Sequence, residues 1–489
     1  MERNRIMSES LQKKTVKGLA WSLLERLSVQ GTQFVVMVIM ARILSPRDYG
    51  LVGMIAVFTV ISQVVVDGGM SQALIRKQER TETDNTTAFT YNMTVGVLIY
   101  LILFFCAPLI ANFYGEPQLV LMTRLLGLNI VLNACMMVQK ALLMAKINFR
   151  LLTITAFLST LLSGIVGIAM AYVGYGVWSI VAQQMLSLLA NAMLLWGLSE
   201  WHPKKHFSWA SFKGLFSFGS NLLISGIIST IYSNLFSILI GKKFTATTLG
   251  YYTRALQFTN FPSAQLSSVV QRVTYPVLCQ MQDDDKQLRR IYRLIVCTAG
   301  FLLFPLMTGL GAVSKPLILL LLKEQWIFVA TILPILCLNL MWYPIHVLNL
   351  NMLQVKGRSD LYLRVEIIKR VLGLLMIVIT LPHGILAMCW GTVAISIIGL
   401  VINTYYTGKL IKVGFFVQMR DLLPSFMLSI TMAVCVYFVV NWMPLGNAMK
   451  LVTGVIAGIL LYCSVAYVLR FKEIRYLREL KKYVTIGKK

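Results

Sequence analysis

The chain has 489 residues, of which 57% are hydrophobic and only 13% charged, against roughly 25% charged in a soluble globular protein. That excludes a soluble enzyme and leaves no polar stretch long enough for an extramembrane domain. A net charge of +26 would point to nucleic acid in a soluble protein, but the basic residues here are distributed as a topology signal, so no nucleic-acid partner is expected.

The N-terminal segment is polar and basic, and the apolar run after it is too long for a secretory leader and lacks a small-residue cleavage site. No cleavable signal is expected. Apolar runs of about 20 residues, the length that crosses a bilayer, then recur to the end. They predict spans at 18–43, 50–71, 87–112, 118–139, 151–173, 177–199, 214–240, 251–276, 291–312, 327–354, 361–381, 384–407, 422–441 and 448–469. Runs this apolar satisfy their backbone in lipid only as helices or closed barrels, and their length makes them helices. The expected fold is an all-α integral membrane protein with 14 transmembrane helices.

Orientation follows from Lys and Arg in the short loops. With the N-terminus in the cytoplasm, most of the 45 basic residues fall inside. They include Arg76 and Lys77, Lys140 and Lys146, Arg289 and Arg290, and the tail after Arg470. An even span count returns the C-terminus to the cytoplasm, and contact with anionic membrane lipids follows from the same charge. Eight cysteines lie singly in apolar segments with no CxxC pair, so neither a disulfide framework nor a metal site is expected.

Two halves resemble each other. Lys17-Gly18 and Lys213-Gly214 open the first and seventh spans. Arg42 precedes Gly50 as Lys242 precedes Gly250, and Gly176 and Gly384 open the sixth and twelfth. The expected organisation is an N-lobe over 1–199 (spans one to six), a C-lobe over 200–407 (spans seven to twelve), and 408–489 with the last two spans and a basic cytoplasmic tail. Two pseudo-symmetric six-helix bundles of this kind are typical of secondary transporters, with substrate between them.

Polar residues inside the spans locate the candidate site, because a charge at mid-bilayer costs about 2.5–3.5 kcal/mol on insertion scales. In the first span Ser22, Arg26, Gln30 and Gln33 share one helical face, with Glu25 beside Arg26 as a charge partner. Asp67 ends the second span, Asn129, Asn133 and Lys140 lie along the fourth, and Asn221 lies in the seventh. Arg254, Gln257, Gln265, Ser268 and Arg272 form a stripe on the eighth, its two arginines about 27 Å apart. Asn339 and His346 face one side of the tenth, and Glu366 and Arg370 pair at i, i+4 in the eleventh.

For a single Asn or Ser the competing reading is a helix-to-helix hydrogen bond; for His346 it is a hydrogen-bonded core residue; for Glu366 and Arg370 it is a structural ion pair. Arginine keeps its proton and its five donors, so Arg26, Arg254 and Arg272 need an anion or a wet cavity, unless span-end arginines snorkel. A cationic, amide-rich cavity suits a ligand with phosphate and many hydroxyls. Prolines 262, 276, 305, 334 and 344 are expected to kink the eighth to tenth spans. Gly454 and Gly458 form a GxxxG packing signal in the last span.

The run Lys17-Gly18-Leu19-Ala20-Trp21, then Gln33, then Ala41-Arg42-Ile43-Leu44-Ser45-Pro46-Arg47-Asp48-Tyr49-Gly50 resembles the polysaccharide transport family of the MOP superfamily, the Wzx-type lipid-linked oligosaccharide flippases. The resemblance covers the whole chain and implies a MOP/MATE-like fold in a bacterial inner membrane. It implies an undecaprenyl-diphosphate-linked O-antigen, capsule or exopolysaccharide unit flipped by alternating access, without cofactor, with coupling to Na⁺, H⁺ or the membrane potential. Partners would be that glycan, membrane lipids, and polymerase and chain-length machinery. Arg26 matches the kind of span-one arginine the family carries.

Three other readings compete. A drug antiporter coupled to cations needs an acidic cavity, whereas these stripes are basic. A polysaccharide polymerase or ligase needs a large outer loop, and every outer loop is short. A peptidoglycan precursor (lipid II) flippase shares the same chemistry. No nucleotide-binding or metalloenzyme motif is present, which argues against ATP-driven transport or enzymatic activity.

Overall fold

Helix starts and stops follow local chemistry along the chain. The structure, a computed structural model, describes residues 28–77, 79–204 and 207–473, excepting the side chains at 221, 266, 268–270, 272 and 273. Glu25 and Arg26 lie outside the described residues, as do the side chains of Asn221 and Arg272. Helix α1 covers Ser28–Ile43 and turns at once into α2, Pro46–Asp67. Ser45 caps α2. Its hydroxyl accepts from the Asp48 N–H, while the Asp48 carboxylate accepts from the Ser45 N–H at 2.9 Å. That reciprocal box, with proline in the first turn where its missing N–H is not needed, specifies a helix start.

Gly68 (φ 52°) and Gly69 (φ 73°) end α2 in the left-handed region that glycine enters without strain. They divide the predicted 50–71 span, and a short α3, Met70–Arg76, follows. Next come α4 (Glu82–Tyr114), α5 (Leu119–Ala145), α6 (Phe149–Val173), α7 (Val177–Leu198), α8 (Trp209–Lys243) and α9 (Ala246–Gln280). The remainder is α10 (Asp285–Ala312), α11 (Ser314–Leu322), α12 (Ile327–Leu340), α13 (Tyr343–Val355), α14 (Ser359–Thr380), α15 (Ile385–Ile411), α16 (Phe415–Trp442) and α17 (Asn447–Val468). Among the described residues there is no strand.

Among the described residues, eleven stretches are long and apolar enough to cross a membrane. α9 and α14 are not among them: α9 carries the Arg254–Arg272 stripe, and α14 carries Arg364, Glu366, Lys369 and Arg370. Pro344 does more than the expected kink. Its ring sits in the first turn of α13, and the 327–354 run breaks at Met341 and Trp342. α11, a nine-residue helix, had no counterpart among the predicted spans.

The chain forms two compact units, Met1–Gly250 and Tyr251–Lys489. In the first, α4 packs on α5 and α6 on α7, while α2 lies against α5 and α8. Backbone meets backbone at both ends of α2. A Cβ on Gly219 would stand 2.5 Å from the Gly68 carbonyl oxygen. At the other end the contact is reciprocal. A Cβ on Gly50 would meet the Ala246 carbonyl oxygen at 1.7 Å, and one on Gly250 would meet that of Pro46 at 1.9 Å. Gly50 and Gly250 are the paired glycines of the sequence repeat. Two first helical turns cross there so closely that no side chain fits.

In the second unit α10 is buried on nearly every face and packs on α16 and α12. Buried polar groups are matched where helices meet. The Asn349 and Gln418 amides exchange hydrogen bonds at 3.1 and 3.0 Å, and Arg293 grips Asp421 with two bonds of 2.6 Å. The GxxxG glycines seat α17 on α16, since a Cβ on Gly454 would lie 2.7 Å from a Val440 methyl and one on Gly458 3.3 Å from Val436. Gly454→Ile is expected to lower stability by about 1–3 kcal/mol through overpacking. Thermal melting of the purified protein checks this, and an unchanged midpoint would remove the glycine from the packing account.

Candidate functional site

Polar side chains converge on a cavity within the first unit. On α2, Gln63 and Asp67 stand one turn apart, and on α5 Asn129, Asn133 and Lys140 follow at i, i+4 and i+11, spacings that keep them on one face. α2 packs against α5, so the two faces meet. A cavity of about 600 Å³ opens there, lined among others by Gln63, Asp67, Gln72, Asn133 and Lys140. It adjoins a second of about 210 Å³ that shares Val60, Gln63 and Asn133 and adds Asn129 from α5 and Gln184 from α7. The result is a seam of amides with one cation and one carboxylate.

Local structure holds these groups. Asp67 accepts from the Ser71 hydroxyl at 2.5 Å and the Ser71 N–H at 3.3 Å, so the two-glycine turn fixes the carboxylate against the start of α3. Asn133 donates to the Asn129 carbonyl at 2.9 Å, which leaves its own carbonyl oxygen available. Among the described residues the Asn129 side-chain oxygen has no protein partner, and Gln63 reaches only the weakly accepting Met137 sulfur at 3.9 Å. Lys140 has no carboxylate within ion-pair distance among the described residues, although Asp67 lines the same cavity. A lysine ammonium in such a place is a point charge with three donors to offer. The seam can take an anion at one place and hydroxyls along its length.

In the second unit the sequence-derived candidates are held by protein partners. Arg254 is 8% exposed; its guanidinium lies 6.0 Å from the Trp326 ring centre and donates to the Gln257 side chain. Asn403 donates to His346 Nδ1 at 3.0 Å, and His346 Nε2 meets the Ser396 hydroxyl at 3.0 Å. Ser396 donates onward to the Asn339 carbonyl at 3.3 Å, so an Nε2–H tautomer completes the chain. His346 thus ties α13 to α15, and Asn339 enters through its backbone. Glu366 pairs with Lys369 at 2.5 Å, with Arg370 at the edge of range at 4.0 Å. On α1, Gln30 is half-buried and Gln33 exposed.

Gln63, Gln72 and Gln184 were not singled out by sequence. A signal existed for one of them: Gln63 stands at i, i+4 to Asp67. Lys140 stands in the sequence both with Asn129 and Asn133 on the fourth span and among the cytoplasmic bases, because the apolar run stops at 139; α5 continues to Ala145 and carries it inside a helix.

Comparison with known proteins gives a consistent picture. Residues 39–331 match a family model described as polysaccharide biosynthesis protein. The chain is 26% identical to the teichuronic acid biosynthesis protein TuaB of Bacillus subtilis over 93% of this chain and 95% of that protein. It is 28% identical to the succinoglycan biosynthesis transport protein ExoT of Rhizobium meliloti over 68% of each. Its fold is that of the lipid II flippase MurJ in an inward closed conformation, with TM-score 0.75 and 16% identity over 94% of this chain and all of the other; at that identity the likeness concerns fold alone.

Proposed function

Because the chain belongs to the polysaccharide biosynthesis protein family, we propose that it is a flippase that carries polyprenyl-diphosphate-linked oligosaccharide units across a bacterial inner membrane by alternating access. Its relatives include a teichuronic acid biosynthesis protein and a succinoglycan biosynthesis transport protein, which supports a transporter rather than an enzyme. The reading includes fourteen spans with both termini cytoplasmic, as two six-span repeats over 1–199 and 200–407 followed by two further spans.

The observation that carries it is the amide seam with its lone lysine. A diphosphate-linked glycan presents one negative charge on each of its phosphates and a dense array of hydroxyls. Lys140 would meet the phosphate as a charge-assisted donor. Asn129, Asn133, Gln63 and Gln184 would meet sugar hydroxyls, each amide offering a donor and an acceptor. The same basic loops that set topology would place Lys140 toward the cytoplasmic surface, where such units are assembled. Arg26, Gln30, Gln33, Arg272 and Asn221 are proposed as further contacts to the substrate, with Glu25 and Asp67 as charge partners. Arg254 would contribute through the field of its buried charge.

Deleting the gene tests this in cells. The expected result is loss of one surface polysaccharide with its lipid-linked repeat unit accumulating on the cytoplasmic leaflet. Loss of the polysaccharide with the unit exposed on the outer leaflet would assign the chain to a later step, polymerisation or ligation.

A further inference from the structure

The second unit holds a cavity with a different character. It has a volume of about 770 Å³ and lies over α10, between α12 and α16, with the first turn of α11 as its roof. Small residues make the room: Gly311 and Ala312 at the floor, Ala330 and Ala433 on the walls. A Cβ on Gly311 would already touch Pro334 at 3.4 Å. Its lining is apolar but for four hydroxyl side chains, Thr308, Ser314, Thr331 and Tyr437, and Lys315.

Position sharpens the reading. The cavity sits at the end of the unit away from the base-rich Lys356, Arg358 and Arg293. Along α16 it runs from Ile430 to Phe438, about 12 Å at helical rise, close to the roughly 15 Å hydrocarbon depth of one leaflet. Its rim carries the exposed rings of Tyr437 and Phe438, and Trp442, 92% exposed, lies one turn beyond, the aromatic belt of a membrane interface. Lys315 stands at this mouth, exposed, with no ion pair among the described residues. An apolar crevice at this depth stays dry and fills with hydrocarbon, and the lysine at headgroup level selects a negative headgroup.

We propose that the crevice between α12 and α16 binds one anionic phospholipid of the leaflet at its mouth, with acyl chain on α10 and phosphate on Lys315. This site is separate from the amide seam and does not depend on the flippase reading.

Native mass spectrometry of the full-length purified protein, titrated with phosphatidylglycerol and with phosphatidylcholine, tests it. The wild type is expected to retain phosphatidylglycerol at least fivefold more tightly than phosphatidylcholine. Lys315→Glu should erase that preference, and Ala433→Trp, which fills the crevice, should remove the tight adduct for both lipids. Lys315 is exposed, so its variant reads out even where the filled crevice fails to fold. Equal retention of the two lipids by the wild type, or an undiminished preference in Lys315→Glu, would overturn the proposal. So would displacement of phosphatidylglycerol by equimolar undecaprenyl phosphate, which would give the crevice to an isoprenoid chain.

Discussion

Lys140→Gln is expected to weaken transport at limiting substrate by roughly 10- to 100-fold, the equivalent of a charge-assisted hydrogen bond of about 1.5–3 kcal/mol. The glutamine, one atom shorter, keeps a hydrogen-bond donor but loses the charge. Among the described residues Lys140 has no ion-pair partner to abandon, so the variant should fold and reach the membrane at wild-type level. Lys140→Arg, which retains charge in a broader head, should recover part of the activity. Asn133→Leu should act more weakly, because an amide–hydroxyl bond contributes about 0.5–1.5 kcal/mol net. The readout is surface polysaccharide in a deletion strain, quantified beside membrane protein level. Wild-type polysaccharide with Lys140→Gln would remove the cavity lysine from substrate binding.

A larger effect, on folding itself, is expected at the reciprocal glycine crossing. In Gly50→Ala the new methyl has no rotamer to choose, since Cβ is fixed by the backbone, and it would fall 1.7 Å from the Ala246 carbonyl oxygen. In Gly250→Ala it would fall 1.9 Å from that of Pro46. Relief requires two helical turns to separate, which should cost more than the about 1–3 kcal/mol of ordinary overpacking. Both variants should show a lowered melting midpoint and reduced membrane level. Gly197→Ala is the control, because a Cβ there meets nothing within 4 Å, and it should be neutral or slightly stabilising. Wild-type midpoints for Gly50→Ala and Gly250→Ala would show that the two turns are not packed in this way.

That crossing also shows what the sequence carries and what it withholds. The Ser45–Gly50 run was legible as a motif and Gly250 as its repeat mate, yet neither indicated that each glycine faces the other's helix start. Helix positions were legible because apolar runs of about 20 residues match a spanning helix and exceed a barrel strand. The break between α12 and α13 was half-legible: Pro344 announced a disturbance, but whether a proline bends or ends a helix depends on the packing of Trp342 against Phe304 and Phe426.

α11 escaped because nine residues are too few for a spanning signal. Arg254 was visible as a buried cation, but its ring partner Trp326 comes from a short 3₁₀ turn at Glu324–Trp326 that no periodicity reveals. The seam escaped for a related reason. A lone glutamine in an apolar helix says nothing until another helix brings amides to it, and Gln63, Asn133 and Gln184 lie on three helices. Lys140 was legible as a polar residue on the fourth span but not as an interior one, because hydropathy ends a span at the first charge, while the helix-forming Ala141-Leu142-Leu143-Met144-Ala145 carries α5 past it.

The central claim, that this chain moves a diphosphate-linked glycan across a bilayer, is tested most directly by reconstitution. Purified protein in liposomes, with a polyprenyl-diphosphate oligosaccharide confined to the inner leaflet, can be probed with a membrane-impermeant glycosidase added outside. The account predicts glycan release that depends on the protein and is reduced roughly 10- to 100-fold by Lys140→Gln. Release no faster than from empty liposomes, under an imposed Na⁺ gradient, H⁺ gradient or membrane potential, would contradict it.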